Sequence, residues 1–311
     1  MIGISIIGLG AIGERLLPIF KDHNEIEIIS VYDIDQEKTI EICDKYNVKP
    51  VASISEMLND DAVQAVYLAV PPKFHKDLAL DIMNSGKHIL CEKPLANTIE
   101  EAEIMMEFAK GKPLINGMNF PLYYGPAYKK FKEMLNEKKI GKIKRIELNG
   151  IFPDWPRKWQ INPWIDSKDQ GGFVREIFTH FIQLIHDYFG LIEINDSNAV
   201  YPEDPKKSEI DILARGQINN IPLVFNGMTG IGHKEDLKLS IWGSEGVIEF
   251  VNWRNLFLIN RDQKIQIELD PYNATYHLID SFRKAVEGEP VQLVDFEAGY
   301  HAVRIVEELL G

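Results

Sequence analysis

Apolar positions follow two different rhythms along this chain of 311 residues. From residue 2 to about 119, short apolar runs at 2–7, 26–32, 65–70, 87–91 and 113–118 are separated by stretches with helical periodicity at 11–20, 36–46, 74–85 and 99–110. This alternation predicts parallel strands joined by helical crossovers. Thr98 followed by Glu101 has capping-box spacing at the head of the last of these helices. After a helix at about 126–138 the rhythm changes. The later runs, 142–152, 209–217, 221–228, 237–242, 246–251, 255–260 and 264–269, alternate or are β-branched, which predicts an antiparallel or mixed, mostly antiparallel, sheet. One strongly apolar helix, about 172–189, interrupts them, and two more close the chain near 274–287 and 295–310. The expectation is an α/β protein with a doubly wound parallel sheet over 1–119 and an α+β domain over 120–311. An active site belongs in the cleft beyond the carboxyl ends of the parallel strands.

The junction of the first strand and first helix carries the first candidate chemistry. Residues 4–13, Ile-Ser-Ile-Ile-Gly-Leu-Gly-Ala-Ile-Gly, place Gly8, Gly10 and Gly13 at the strand end. The first glycine permits the tight turn, the second lets backbone approach a pyrophosphate, and the third lets the helix pack on the sheet. Unpaired N–H groups at the helix start, at Ala11, Ile12 and Gly13, then face the anion. Asp33 closes the second apolar run, where a carboxylate accepts hydrogen bonds from the adenine-ribose hydroxyls and repels a 2′-phosphate. Apolar Ile34 follows, where an arginine would accommodate that phosphate. NAD is therefore the expected cofactor, ahead of NADP. Of Asp33 and Asp35, one can cap the helix beginning near Gln36 while the other binds ribose.

Composition removes several alternatives. A formal charge of −13 opposes nonspecific nucleic-acid binding, since phosphate contacts need clustered cations. Cys43 and Cys91 stand outside any paired-ligand motif, so no metal site is expected. With no basic leader and no apolar stretch of membrane-spanning length, a cytoplasmic protein without membrane partners is expected.

Two further motifs are more specific than the glycine turn. Val70-Pro-Pro-Lys-Phe-His75 follows one strand, and Gly86-Lys-His-Ile-Leu-Cys-Glu-Lys-Pro-Leu95 contains the next. A lysine at the end of a parallel strand, pinned by the following proline, points into the cleft where the nicotinamide would lie. With the glycine turn at this order and spacing, the chain resembles the family of glucose–fructose oxidoreductase, inositol dehydrogenase and the rhizopine-catabolism protein MocA. The resemblance implies a Rossmann domain followed by an α/β domain whose open sheet is often used for oligomer contacts. It implies proton transfer assisted by Lys93, with Glu92 and Pro94 shaping the cofactor pocket and Pro71 and Pro72 bordering the nicotinamide. His75 reads equally as a cofactor contact and as a capping or packing residue.

On the helix after Gly171-Gly172, ideal spacing of 100° per residue brings Glu176, His180, Gln183 and Asp187 within about 60° of one another. So narrow a polar stripe on so apolar a helix either faces solvent or lines a pocket. In the family an aspartate and, four residues on, a histidine act here with the lysine; the matching positions are Glu176 and His180. His180 is the candidate acid–base group, because imidazole titrates near neutrality. Glu176 departs from the usual aspartate, and Gln183 stands where another aspartate is common. In Gly117-Met-Asn-Phe-Pro121 the arginine frequent in the family is absent, leaving Asn119 to reach cofactor or substrate. Trp155, Arg157 and Trp164 lie in the aromatic run 154–164, where tryptophan faces can stack on sugar rings and Arg157 or Lys158 can bind a carboxylate; the same loop reads equally as an oligomer contact.

The expected function is NAD-dependent hydride transfer at a secondary alcohol or ketone of a sugar, cyclitol or related polar metabolite. Lys93 and His180 would move the proton and Glu176 would orient one of them. Alternatives are imine reduction on the same scaffold and a nucleotide-sensing protein without turnover. The strands from 236 to 269 carry Trp253, Leu256 and Leu258, read as an exposed apolar face that builds a homodimer or homotetramer.

Overall fold

Ile4, Ile6 and Ile7 of β1 (Ile2–Ile7) are all but inaccessible, as are all four residues of β3 (Ala65–Leu68). Strands buried on both faces need helices on both sides, and the chain supplies them. The computed structural model describes residues 1–160 and 162–311. In the first part of the chain, β1, β2 (Ile26–Tyr32), β3, β4 (His88–Cys91) and β5 (Asn116–Met118) alternate with α1 (Ala11–Lys21), α2 (Gln36–Tyr46), α3 (Ile54–Leu58), α4 (His75–Asn84) and α5 (Ile99–Lys110). The five strands are parallel, in the order β2-β1-β3-β4-β5. The order reverses direction at β1, so the ligand-binding crevice of such a sheet lies at the carboxyl ends of β1 and its neighbours.

After α6 (Pro126–Asn136) come β6 (Ile143–Phe152), a π-helical turn at Val174–Phe178 and α7 (Thr179–Phe189). There follow β7 (Glu193–Val200), β8 (Asp211–Ile218), β9 (Ile221–Thr229), β10 (Asp236–Gly243), β11 (Val247–Val251), β12 (Asn255–Ile259) and β13 (Lys264–Ile267). Among the described residues these strands form an eight-stranded sheet, β13-β12-β11-β10-β6-β9-β8-β7, in which only β6 and β9 pair in parallel. Gly150 and Gly227 are partners across that parallel pair, and a Cβ on either would lie 2.5 Å from a ring carbon of Phe178 or Phe173, respectively. The two glycines are thus the hollow into which the aromatic start of the helix packs. The polar run Glu-Ile-Asn-Asp-Ser-Asn-Ala-Val makes β7 an edge strand that apolar patterning does not reveal.

The last helices are α8 (Ala274–Val286) and α9 (Phe296–Leu310). Met1–Pro121 with Asn273–Tyr300 forms one compact unit, and Leu122–Tyr272 with His301–Gly311 a second. A division into 1–119 and 120–311 does not contain this return of the chain. Its physical basis is the short edge strand β5: Met118 N–H donates to the Val294 carbonyl at 2.8 Å, and Asn116 Oδ1 accepts from Phe296 N–H at 2.8 Å.

Register corrects the expected oligomer face. Leu256 and Leu258 pair with Phe250 and Ile248, on the inward side of the sheet, and Leu256 is fully buried. Trp253 packs against Phe181. Among the described residues, the exposed large apolar side chains of the sheet strands are instead Val200, Leu213, Trp242 and Ile265.

Candidate active site

In the first unit the glycine turn is built as its spacing requires. Gly8 has φ +97°, and a Cβ on Gly13 would sit 2.0 Å from the Gly8 carbonyl oxygen. A Cβ on Gly10, by contrast, meets nothing within 4 Å. Gly10 caps α1 without a side-chain hydrogen bond, so the first-turn amides at Ala11, Ile12 and Gly13 keep their anion-binding character. Asp33, at the end of β2, accepts from Leu9 N–H at 2.6 Å through one oxygen and from Asp35 N–H at 3.0 Å through the other. Asp35 performs the capping, accepting from Lys38 N–H at 3.1 Å. Ile34 is 89% exposed, which leaves the ribose side of Asp33 without a cationic neighbour from this position. Open space at Gly10, free helix amides and a strand-end carboxylate together fit a dinucleotide.

Strands β3, β4 and β5 deliver the next group to the same edge of the sheet. Glu92, 7% exposed, accepts hydrogen bonds on one oxygen from the Tyr67 hydroxyl and from Asn119 Nδ2. Burial raises the Glu92 carboxyl above its ordinary range and pushes the Tyr67 phenol well up. Because Asn119 gives its amide nitrogen to Glu92, its Oδ1 is turned elsewhere, buried and without a protein hydrogen-bond partner among the described residues. Lys93 is half-buried directly after β4, and its peptide bond to Pro94 is cis. Pro71 is half-buried and Pro72, buried, opens a 3₁₀ turn.

Of the two readings of His75, the structure shows the packing one, an internal staple. It has no exposed surface; Nε2 lies 2.8 Å from the Val70 carbonyl, and Nδ1 lies 3.0 and 3.2 Å from those of Pro94 and Leu95. Burial lowers its basicity. Its ring ties the loop after β3 to the loop after β4, holding the lysine-bearing turn.

In the second unit the predicted polar stripe is only partly realised. The π turn at Val174–Phe178 breaks the 100° spacing, because five residues rather than four close each ring there. Glu176 and Gln183 are 9% and 2% exposed, and His180 is half-buried. Asp187, further along the helix, is exposed, accepting from the Tyr128 hydroxyl at 2.5 Å and pairing with Lys132 at 3.4 Å. At the helix start, Glu209 is 1% exposed and accepts from Val174 N–H at 2.8 Å. Burial raises its carboxyl to about 7. Arg175 forms a two-pronged ion pair with Glu307, with both contacts at 2.8 Å.

The aromatic segment also departs from expectation. Arg157 Nε and Nη2 donate to Glu235 at 2.9 and 2.6 Å, so its fork is committed and is not a carboxylate anchor. Trp155 packs edge-on against Phe152 and Phe173, and its Nε1–H donates to the Ile165 carbonyl at 3.3 Å, making it a wall. Trp164 is half-buried, Lys158 is exposed, and Ile161 lies outside the described residues. Tyr67, Glu209 and Glu235 escape sequence reasoning. Only Tyr67 carries a signal, a phenol inside a strand buried on both faces, which must find a partner.

Among the described residues no helix is long and apolar enough to cross a membrane, and no cluster of three or more His, Cys, Asp or Glu could hold a metal. Residues 2–120 match the NAD-binding Rossmann-fold model of an oxidoreductase family, and 132–310 match that family's C-terminal alpha/beta domain. A glucose-6-phosphate 3-dehydrogenase of Bacillus subtilis (strain 168) is 25% identical, over 98% of this chain and 94% of that protein. An NADP(+)-dependent scyllo-inositol 2-dehydrogenase of the same organism is 35% identical over 47% of this chain and 44% of its own. Among solved structures, a 3-ketoreductase from Actinomadura kijaniata in complex with NADP and TDP-benzene superposes with a TM-score of 0.86 at 20% identity, covering 99% of this chain and 96% of that one.

Proposed function

From the premise that this chain belongs to the Gfo/Idh/MocA oxidoreductase family, we propose that it transfers a hydride between NAD and a secondary alcohol or ketone of a sugar, cyclitol or related polar metabolite. One observation carries this reading: the open glycine turn, Asp33, Lys93 and Asn119 all follow strands of one parallel sheet at their carboxyl ends. The bound dinucleotide supplies the hydride acceptor or donor. Gly8, Gly10, Ala11, Ile12 and Gly13 hold its pyrophosphate, and Asp33 holds the adenine ribose and disfavours a 2′-phosphate. Glu92 and Tyr67 fix the Asn119 amide so that its oxygen accepts from cofactor or substrate. Pro71, Pro72 and Pro94 shape the nicotinamide pocket.

His180 and Lys93 take up or return the hydroxyl proton, with Glu176 orienting the transfer and Gln183 facing the substrate. A positioned acid–base group of this kind contributes roughly 10²–10⁴-fold. The commitment of Arg157 to Glu235 favours an uncharged substrate, with Trp155 and Trp164 as walls on its side. The exposed Leu213, Trp242 and Ile265 support a homodimer or homotetramer formed through the open sheet, to be read by light scattering.

The deciding experiment mixes the purified protein with NAD⁺ or NADP⁺ and D-glucose, glucose 6-phosphate, myo-inositol and scyllo-inositol, following reduced nicotinamide by absorbance. Oxidation of a neutral sugar or cyclitol with NAD⁺ preferred is the expected outcome. Tight NADH binding without oxidation of any compound in a broader polyol panel would replace the enzyme reading with that of a nucleotide-sensing protein.

A further inference from the structure

The turn joining β11 to β12 holds two consecutive residues in the left-handed region, Asn252 at φ +46° and Trp253 at φ +73°. Asparagine adopts this conformation readily; for a residue as bulky as tryptophan it is strained, and it persists only where the surroundings over-determine it. Both ends of that constraint are visible. Asn252 N–H donates to the Leu237 carbonyl at 2.9 Å, while Asn252 Oδ1 accepts from Leu237 N–H at 3.1 Å, fastening the turn to the start of β10. The indole is held by its own neighbours. The Arg157 guanidinium lies 5.5 Å from the centre of its ring, Phe181 is 5.7 Å away, and the His180 imidazole stands nearly perpendicular at 5.6 Å and 83°.

Arg157 is itself immobilised by Glu235, and its guanidinium also lies over Phe152 and Trp155, at 5.3 and 5.9 Å. A chain of contacts therefore runs from Glu235 through Arg157 and Trp253 to His180, entirely within the second unit. An imidazole that passes a proton must keep one orientation, because the transfer falls off steeply with misalignment. An aromatic ring meeting it at a right angle restricts its rotation without taking a ring nitrogen. The strain in the turn is what aims the indole there, since an extended or right-handed residue at 253 would send its side chain elsewhere.

We infer that Trp253 is a positioning residue for His180, clamped on its ring by the Arg157–Glu235 pair. The inference rests on the acid–base role given to His180 above. Its test reads the imidazole directly, so that the two can fail separately.

In protein labelled with ¹³C-histidine and saturated with NADH, the His180 Cε1–H resonance is assigned by its loss in His180→Gln. In Trp253→Asn, which suits the left-handed turn and relieves its strain, that resonance should move toward the position of free histidine. NADH affinity should stay within about twofold. Trp253→Phe should restore part of the shift, as no general loosening would. Arg157→Lys, which leaves the turn untouched but loses the planar fork, should move the same resonance by a smaller amount. For any panel compound that is oxidised, Trp253→Asn should lower kcat about tenfold or more with KM little changed. A His180 resonance that stays in place in both Trp253→Asn and Arg157→Lys overturns the inference. A resonance that moves as expected in a protein that oxidises nothing leaves the positioning intact and removes the catalytic reading of His180.

Discussion

Two glycine-rich entries lead into two helices of this protein, and they have opposite electrostatic fates. Before α1, the turn of Gly8, Gly10 and Gly13 leaves open space above Gly10 and no side chain on the first-turn amides. Before the π turn, Gly171 presses against Ile165, where a Cβ would lie 2.1 Å from the carbonyl oxygen, and Gly172 at φ +102° leaves room for the Glu209 carboxylate. That carboxylate fills the second helix start by accepting from Val174 N–H. Both helix starts attract an anion. The first is left to a ligand, whereas the second receives the chain's own buried acid and becomes a fixed platform for Glu176 and His180. Glycines before a helix therefore do not by themselves mark a binding site; the deciding feature is whether the fold brings its own carboxylate.

The largest expected effect breaks the open entry. Gly13→Ala places a Cβ against the Gly8 carbonyl, so NADH binding should disappear in fluorescence titration and the melting temperature should fall. Gly10→Ala sharpens the contrast: its Cβ has space in the folded chain, so the melting temperature should hold while NADH binding weakens about tenfold or more, the added methyl occupying the approach path of the pyrophosphate.

Next come the groups that handle the proton. Lys93→Met and His180→Ala should each lower turnover by about 10²-fold or more, with NADH affinity within a few-fold, because neither belongs to the open entry. If both serve one relay, the double variant should lose little more than either single one. Near-normal turnover of His180→Ala at every pH returns that residue to a structural role.

The filled entry is tested through pH. The Glu209 carboxyl is raised from 4.5 to about 7 by burial, so the folded state keeps its proton where the unfolded chain has released it. Its contribution to stability is therefore fully present below about pH 4.5 and is lost as pH rises through about 7, by an amount on the order of 3 kcal/mol. Urea unfolding should show the difference in stability between Glu209→Gln and the parent shifting in favour of the glutamine variant from pH 5 to pH 8. A difference that stays constant across that range refutes the assignment.

The smallest expected change is in cofactor choice. Asp33→Ser combined with Ile34→Arg should narrow or reverse a preference for NADH over NADPH of about tenfold, measured by calorimetry, since one charge repulsion is exchanged for one attraction near the 2′ position. Equal affinity of the unmodified protein for both cofactors removes the role given to Asp33.

Most strands and helices were legible because each declares itself within about a dozen residues. Apolar runs buried on both faces, the cap that Thr98 gives to Glu101 N–H, and the capping of α2 by one of the two aspartates, Asp35, are all local matters. Where local signals ran out, the reading ran out as well. The edge strand β7 is mostly polar, and a register shift between Ile194 and Asp196 interrupts its alternation. The π turn shifts Glu176 relative to His180 by an amount that no spacing announces, and at the far end of the helix Asp187 meets Tyr128 and Lys132, partners that no local pattern names.

The glycine turn, the carboxylate of Asp33 after β2 and the lysine after β4 were placed by sequence alone, because backbone geometry within a strand-turn-helix unit follows from which residues tolerate which dihedral angles. Tertiary structure decided the partners. Arg157 met Glu235, 78 residues away; Glu209 met Val174, 35 away; and Trp253, in the turn between β11 and β12, met His180 on α7. Buried polar and charged groups must be paired wherever packing places them, and side-chain type can state that demand without naming what will meet it.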